Sequence, residues 1–166
     1  MGLLSDAVAA KLHKAQWHRI KPETVPPAKF IEKVETEIGH PLPDEYRRFL
    51  QTYPTRSGPV SAVYCPIISG PGKGRNRPPL MEFSGYDADS KTLMNMDSDY
   101  PKALLDGMLL IADDFFSNWF YLKLDDGTIW FLNRQGKGAK YFKNLALVGE
   151  SFDDFILRME GLKPSG

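Results

Sequence analysis

Two aromatic, β-rich segments joined by a tight turn most strongly constrain how this chain can fold. Residues 119–124 (WFYLKL) and 128–132 (TIWFL) carry bulky side chains in the alternation expected of two sheet faces. The turn Asp125-Asp126-Gly127 lies between them and predicts a β-hairpin. An apolar run, Met108 to Ala112, precedes the hairpin and reads as a further strand. Shorter strands are predicted at residues 60–68, 80–83 and 145–148, and most of the hairpin aromatics are expected in the core.

Helical patterns lie on both sides of this β-rich region. Apolar residues recur at helical spacing in residues 28–38, before Gly39. The segment after Pro43 opens with two acidic residues, which favour the positive end of a helix dipole, and Pro54 ends it. Four helices are therefore predicted, over residues 3–20 (capped by Ser5 or Asp6), 28–38, 43–53 and from 151 onward.

Length and composition indicate one soluble globular domain. A chain of 166 residues is long enough to bury most of its unfolded surface without disulfides. Its one cysteine, Cys65, excludes an internal disulfide, fits a reducing cytosol and is expected to be a buried structural thiol. The sequence shows neither a membrane-spanning apolar run nor a signal peptide, so a cytoplasmic location is expected.

The formal charge of zero argues against a protein that wraps nucleic acid through its net field. The charge is unevenly placed, since residues 1–85 hold twelve Lys or Arg and eight Asp or Glu, whereas residues 86–166 hold nine and thirteen. Nine aspartates fall between residues 86 and 126, at positions 87, 89, 97, 99, 106, 113, 114, 125 and 126. Aspartate in preference to glutamate is typical of turns and caps.

Motifs for phosphate, metal or cofactor binding are incomplete in this sequence. The Gly/Lys/Arg loop 69–79 lacks the Ser or Thr of a P-loop and is interpreted as a solvated loop. Residues 87–91 begin like a calcium loop, but Lys91 stands at a ligand position. The three histidines (13, 18 and 40) have no metal-ligand spacing, and the first two are expected on the surface of the first helix. No cofactor, metal site or catalytic residue is predicted.

The order of several short motifs resembles the SUKH superfamily, named for a fungal regulator of cell-wall synthesis and its bacterial relatives. The resembling segments are Ile38 to Leu50 (IGHPLPDEYRRFL), Leu110 to Asp113, Asn118 to Phe120, Gly127 to Phe131 and Ser151 to Phe155. They span about Phe30 to Gly161. The chain departs from the family pattern at residues 54–58, where Asn-Gly-Gly is common, and at residues 133–135, which replace an Asp-His-Glu-like element.

The resemblance implies an α+β fold, a single domain with a mixed or antiparallel sheet and flanking helices. We divide the chain into an N-terminal helix and Pro-rich connector (1–27) and a SUKH-like domain (28–166). Bacterial members of the family are implied to be cytoplasmic immunity proteins that neutralise secreted polymorphic toxins, many of them nucleases. Fungal members are implied to be partly disordered scaffolds, which this compact chain resembles less.

The leading hypothesis is therefore an immunity protein that binds a cognate toxin domain encoded by a neighbouring gene. The partner-facing group is predicted to be Asp113, Asp114, Trp119, Asp125 and Asp126. A basic loop, Lys73 to Arg77, offers the opposite charge to an acidic partner. The alternatives are a regulatory scaffold module and a small enzyme. An enzyme would need two carboxylates in different environments. The four aspartates at positions 113, 114, 125 and 126 could supply such a pair, but aspartates in turns are usually solvated.

Overall fold

The computed structural model describes residues 4–20, 27–61, 63–74, 77–80, 82–84, 86–87, 92–93, 104–105, 107–114, 118–133 and 145–161. Within these ranges the helices are α1 (Asp6–Lys14), α2 (Pro27–Ile38), α3 (Asp44–Thr52) and α4 (Phe152–Arg158). The strands are β1 (His18–Arg19), β2 (Ser57–Gly58), β3 (Val63–Tyr64), β4 (Pro79–Leu80), β5 (Glu82–Phe83), β6 (Tyr86–Asp87), β7 (Thr92–Leu93), β8 (Leu104–Leu105), β9 (Met108–Asp113), β10 (Trp119–Lys123), β11 (Ile129–Leu132), β12 (Leu145–Gly149) and β13 (Glu160–Gly161).

One antiparallel sheet organises the molecule, with strand order β1-β2-β5-β9-β10-β11-β12 and β8 paired beside β9. Strands β9 to β11 form its continuous centre, in which Phe120 faces Ala112 on one side and Phe131 on the other. A three-stranded sheet, β13-β3-β4, and the pair β6-β7 complete the described strands. All of these pairings are antiparallel, so the α+β prediction with an antiparallel sheet is confirmed.

The two faces of the central sheet carry two separate apolar clusters. Phe120 and Leu122 of β10 share the main core with Phe49 of α3 and Phe152 of α4. Alternate residues of the same strand, Trp119 and Tyr121, lie in a smaller cluster with Leu110 and Leu132. Because successive strand residues point to opposite faces, the helices cover one face of the sheet and the smaller cluster lies on the other. Most of the hairpin aromatics are thus buried on one face or the other, as predicted (Trp119, Phe120, Tyr121 and Phe131), and Trp130 is partly buried.

The first helix is shorter than predicted. Ser5 caps it by accepting a hydrogen bond from the amide of Val8 at 3.3 Å, and α1 ends at Lys14 rather than near residue 20. Gln16 has a φ of 54°, a left-handed conformation that cannot continue a helix. The chain then reverses direction, and His18, which was expected on the helix surface, lies instead in β1.

The N-terminal segment belongs to the same core and sheet as the rest of the chain. Strand β1 pairs with β2, and the indole of Trp17 is buried against Phe49 and Phe83. The Trp17 Nε1 donates a hydrogen bond to the Ser57 hydroxyl at 3.0 Å. The boundary drawn at residue 27 therefore does not separate two independent cores among the described residues.

Other expectations hold with adjusted limits. Helix α3 begins at Asp44, with Pro43 as its N-cap residue, and Ser151 caps α4 by accepting a hydrogen bond from the Asp154 amide. The predicted strand 80–83 is divided between β4 and β5, which belong to different sheets, and the run 60–68 contributes only β3. The aspartates at 89, 97, 99 and 106, the possible calcium loop beyond Asp87 and part of the loop 69–79 lie outside the described residues.

Candidate functional site

Asp114 is buried directly after β9, where the chain passes to β10. Its two carboxylate oxygens accept hydrogen bonds from the Asn118 backbone amide at 2.8 Å and from the Asn118 side-chain amide at 2.9 Å. Only 5% of Asp114 and 6% of Asn118 is exposed. These contacts use the carboxylate to satisfy local donors, so Asp114 stabilises the connection and presents little surface to another molecule.

Asp113 lies beside other carboxylates at the end of β9. It is the cross-strand partner of Glu82 and is followed directly by Asp114. Burial and the charges of these two acids raise its pKa to about 6, although the Arg56 guanidinium and its own backbone amide act in the opposite direction. The Asp113 Oδ1 is buried and has no hydrogen-bond partner. Arg56 is engaged with Glu82 at 3.2 Å, so Asp113 is the less well compensated of the two acids.

Trp119 packs within the molecule. Its side chain belongs to the smaller apolar cluster, is 7% exposed and contacts the Tyr121 ring edge-on at a centroid distance of 6.3 Å. Bulky residues on both sides of a strand are expected where both faces of the sheet are covered. Trp119 therefore belongs to the protein interior and is not an exposed residue of the surface.

The hairpin turn presents the other two predicted aspartates. Asp126 accepts hydrogen bonds from the Thr128 amide (3.0 Å) and hydroxyl (2.6 Å), and the Trp130 indole donates to the same hydroxyl. Partial burial raises the Asp126 pKa, but the Thr128 hydrogen bonds and Lys123 outweigh it, so the net pKa is lowered. Asp125 is 80% exposed, and its carboxylate lies 3.5 Å from the His40 imidazole.

The five predicted partner-facing residues do not lie together. Asp113, Asp114 and Trp119 lie where β9 passes to β10, whereas Asp125 and Asp126 follow the far end of β10. Five residues of strand separate these ends by roughly 16 Å at about 3.3 Å per residue. Of the five, Asp125 and Asp126 are exposed. Their role in binding a partner stays a prediction.

Tertiary contacts join the hairpin turn to the starts of two helices. A Cβ on Gly127 would be 3.7 Å from Pro43, the residue that precedes α3. In the first turn of α3, the Glu45 carboxylate accepts a hydrogen bond from the Asp153 amide in the first turn of α4 at 2.8 Å. We call the surface that these contacts assemble the acidic face; its members are Asp44, Glu45, Asp125, Asp126, Asp153 and Asp154.

The acidic face is only partly neutralised by neighbouring cations. Asp44 pairs with Arg47 at 3.1 Å, Asp126 with Lys123 at 3.7 Å and Asp154 with Arg158 at 2.7 Å. Burial and the nearby Glu45 raise the pKa of Asp153, with Arg48 opposing. Asp44 is 75% exposed. A surface of this kind attracts a cationic partner over a distance comparable to the Debye length.

Four members of the acidic face escaped prediction: Asp44, Glu45, Asp153 and Asp154. Asp44 and Glu45 were assigned a local role, in which an acidic residue favours the positive end of a helix dipole, and Asp153 and Asp154 were predicted only as part of the start of the closing helix. That role is present in the structure, since both acidic pairs lie in the first turn of their helices. Their convergence depends on contacts between residues more than 80 positions apart in the chain, for which a single sequence gives no signal.

The described residues offer no arrangement for metal chemistry. Within them, no group of three or more His, Cys, Asp or Glu side chains is placed to hold a metal ion. Cys65 is buried, and burial raises the pKa of its thiol, as expected of a structural cysteine. In the described part of the chain, no helix has the length and apolar character needed to span a bilayer.

Comparison with known proteins identifies the family. A model of the SMI1/KNR4 family (SUKH-1) matches residues 26–158, and the chain therefore belongs to this family. The matched region contains α2 to α4, the hairpin and the whole acidic face. The SPbeta prophage-derived uncharacterized protein YokK of Bacillus subtilis (strain 168) is 24% identical over 140 residues, which cover 78% of this chain and 72% of that protein. No solved structure matches the chain.

Proposed function

We propose that this protein is an immunity protein, which binds a cognate polymorphic toxin in the cytoplasm of the producing cell and neutralises it without catalysis. Membership of the SUKH-1 family supports this function, and similarity to a prophage-derived protein is consistent with it. The toxin would be the product of a neighbouring gene. A nuclease is the favoured class of toxin, because enzymes that bind nucleic acid carry basic surfaces.

The observation that carries the proposal is the acidic face within the family-matched region. It combines a rigid hairpin turn with two helix starts, so its charged groups are held by secondary structure. Surfaces held in this way bind with little loss of conformational entropy. An acidic surface also competes directly with a nucleic-acid backbone for a basic cleft, which would explain neutralisation by simple occupancy.

Co-expression with the neighbouring gene product tests the proposal. We expect a stoichiometric complex that survives size-exclusion chromatography at micromolar concentration, and we expect the chain to restore growth to cells that express the toxin domain. Charge reversal at two exposed positions, D44K with D125K, should weaken binding at least tenfold and abolish protection.

A matched control is D6K, which reverses an exposed acid on α1. The D6K variant should bind and protect as well as the original chain. The absence of a complex at micromolar concentration, or equal losses in D6K and D44K/D125K, would contradict the proposal. A scaffold module would instead form a complex that leaves toxin activity unchanged. Turnover by the purified chain that depends on one ionisable side chain would indicate an enzyme.

A further inference from the structure

A groove of about 320 Å³ runs between α1 and the C-terminal end of the described chain. Its apolar floor consists of Leu12, Trp17, Val63, Ile156 and Met159. One wall is the last turn of α1 and the other is β13. Both walls lie outside residues 26–158, whereas Val63 and Ile156 of the floor lie within the family-matched region. It is separate from the acidic face, and an inference from it does not depend on toxin neutralisation.

The rim of this groove is basic. Lys11 and Lys14 stand on the α1 wall, one helical turn apart, and neither forms an ion pair with any residue in the described ranges. The acid on the opposite wall, Glu160, is already paired with Arg77 at 2.7 Å. The two lysines therefore leave an uncompensated positive charge above an apolar floor.

We propose that this groove is a docking site for a protein segment that carries one bulky apolar side chain flanked by acidic residues. A volume of about 320 Å³ lies at the small end of ligand sites, and it accommodates a single large side chain better than a cofactor. The apolar anchor would contact Ala15, the exposed part of Trp17 and the alkyl stem of Lys11, because Leu12, Ile156 and Met159 beneath them are at most 3% exposed. The flanking carboxylates would pair with Lys11 and Lys14, since charge complementarity favours this partner over a neutral or basic segment.

Gly161 provides a way to close the groove. It lines the groove on the β13 wall, and a Cβ built on it meets nothing within 4 Å. Its backbone is not in the left-handed region, so a larger residue is tolerated by the strand. Substitution G161L therefore adds an apolar side chain to the wall without displacing core residues. Neutralisation of the rim, K11Q with K14Q, changes exposed and partly exposed residues only.

The probe is a fluorescein-labelled peptide GSEDFEDSG, measured by fluorescence anisotropy against the full chain at 50 mM NaCl. We expect a Kd below about 1 mM. The matched peptides GSEDAEDSG and GSKKFKKSG should bind at least tenfold more weakly, because the first lacks the anchor and the second carries the wrong charge. Amide chemical-shift changes in the ¹H–¹⁵N spectrum should centre on Lys11, Lys14 and Gly161.

Variants of the groove test whether the peptide binds there. K11Q/K14Q should weaken binding of GSEDFEDSG about five- to tenfold, in line with two screened charge pairs, and G161L should weaken it further. The control K29Q/K33Q removes two exposed lysines of α2 and should leave the Kd unchanged. Equal binding of the acidic and basic peptides, an equal loss in K29Q/K33Q, or shift changes centred elsewhere would overturn the proposal. If G161L does not fold, the lysine variants decide alone.

Discussion

At the scale of single residues, the surroundings of Asp113 destabilise its ionised carboxylate. Its strand pairing places it opposite Glu82, and Asp114 follows it in the chain. A carboxylate oxygen with no hydrogen-bond partner costs free energy in a buried position, and like charges add to that cost. The raised pKa of about 6 expresses the same penalty, because the folded state prefers the neutral acid.

Replacing Asp113 with asparagine should therefore stabilise the protein at alkaline pH. The folded pKa of about 6 exceeds the ordinary value of 3.8, so the folded state binds more protons than the unfolded state between these values. This group lowers stability above pH 6 and ceases to do so as the pH falls towards 4. We expect D113N to raise the free energy of unfolding by about 1–2 kcal/mol at pH 8, allowing for solvent screening, and by less at pH 5.

Urea unfolding of D113N and the original chain at pH 5 and pH 8 measures this difference. The control is D126N. The Asp126 pKa is lowered by the Thr128 hydrogen bonds and Lys123, so its contribution to stability is complete above the ordinary value of 3.8. The loss in D126N should be the same at both pH values. A loss of stability in D113N at pH 8 would contradict the interpretation of Asp113.

Gly149 provides a second residue-scale prediction. It is buried at the end of β12 against α4, and a Cβ there would lie 2.5 Å from the Phe155 Cβ and 3.0 Å from the Phe155 Cα. Because Phe155 is a core residue, the helix cannot shift without disturbing the packing. We expect G149A to lower the free energy of unfolding by about 1–3 kcal/mol, measured by urea denaturation. G161A, in open space, should change it by less than about 0.5 kcal/mol.

At the scale of elements, the sequence predicts those that are defined by local patterns. The hairpin followed from aromatic alternation around Asp125-Asp126-Gly127, and α4 followed from Ser151 with its acidic first turn. The end of α1 did not follow, because the reversal at Gln16 depends on burying Trp17 in a core formed by distant elements. For the site, the strand predicted between Asp113-Asp114 and Asp125-Asp126 implies that these two pairs lie at opposite ends of β10, which has five residues. The prediction of a single partner-facing group instead assumed from charge alone that the pairs lie close together.

The N-terminal elements α1 and β1 should be required for stability although they precede the family-matched region. Trp17 contacts Phe49, Tyr53 and Phe83, and its indole donates to Ser57. We expect W17A to lower the free energy of unfolding by about 3–5 kcal/mol, because it leaves a large cavity. Thermal and urea unfolding measure the effect. The adjacent H18A removes an exposed side chain and should cost less than about 0.5 kcal/mol; equal effects would show that the segment is peripheral.

At the scale of the whole molecule, a net charge of zero conceals two regions of opposite sign. The acidic face joins the hairpin turn to the starts of α3 and α4, whereas Lys11 and Lys14 stand near the end of α4, beside Ile156 and Met159. Helix α4 thus runs from an acidic region to a basic one. A molecule with this distribution is steered by the local field of each region, so its partners need not share one sign of charge.

The association rate with the proposed toxin should reveal this steering. If the acidic face meets a basic surface, the association rate constant should fall about tenfold between 50 and 500 mM NaCl, because salt screens attraction between separated charges. The dissociation rate constant should change much less. D44N/D125N should lower the association rate at 50 mM NaCl several-fold and flatten its salt dependence, whereas D6N, on α1, should do neither. Stopped-flow fluorescence measures both constants. Association independent of salt, or a D6N effect as large as that of the double variant, would assign recognition to shape alone and remove the acidic face from the mechanism.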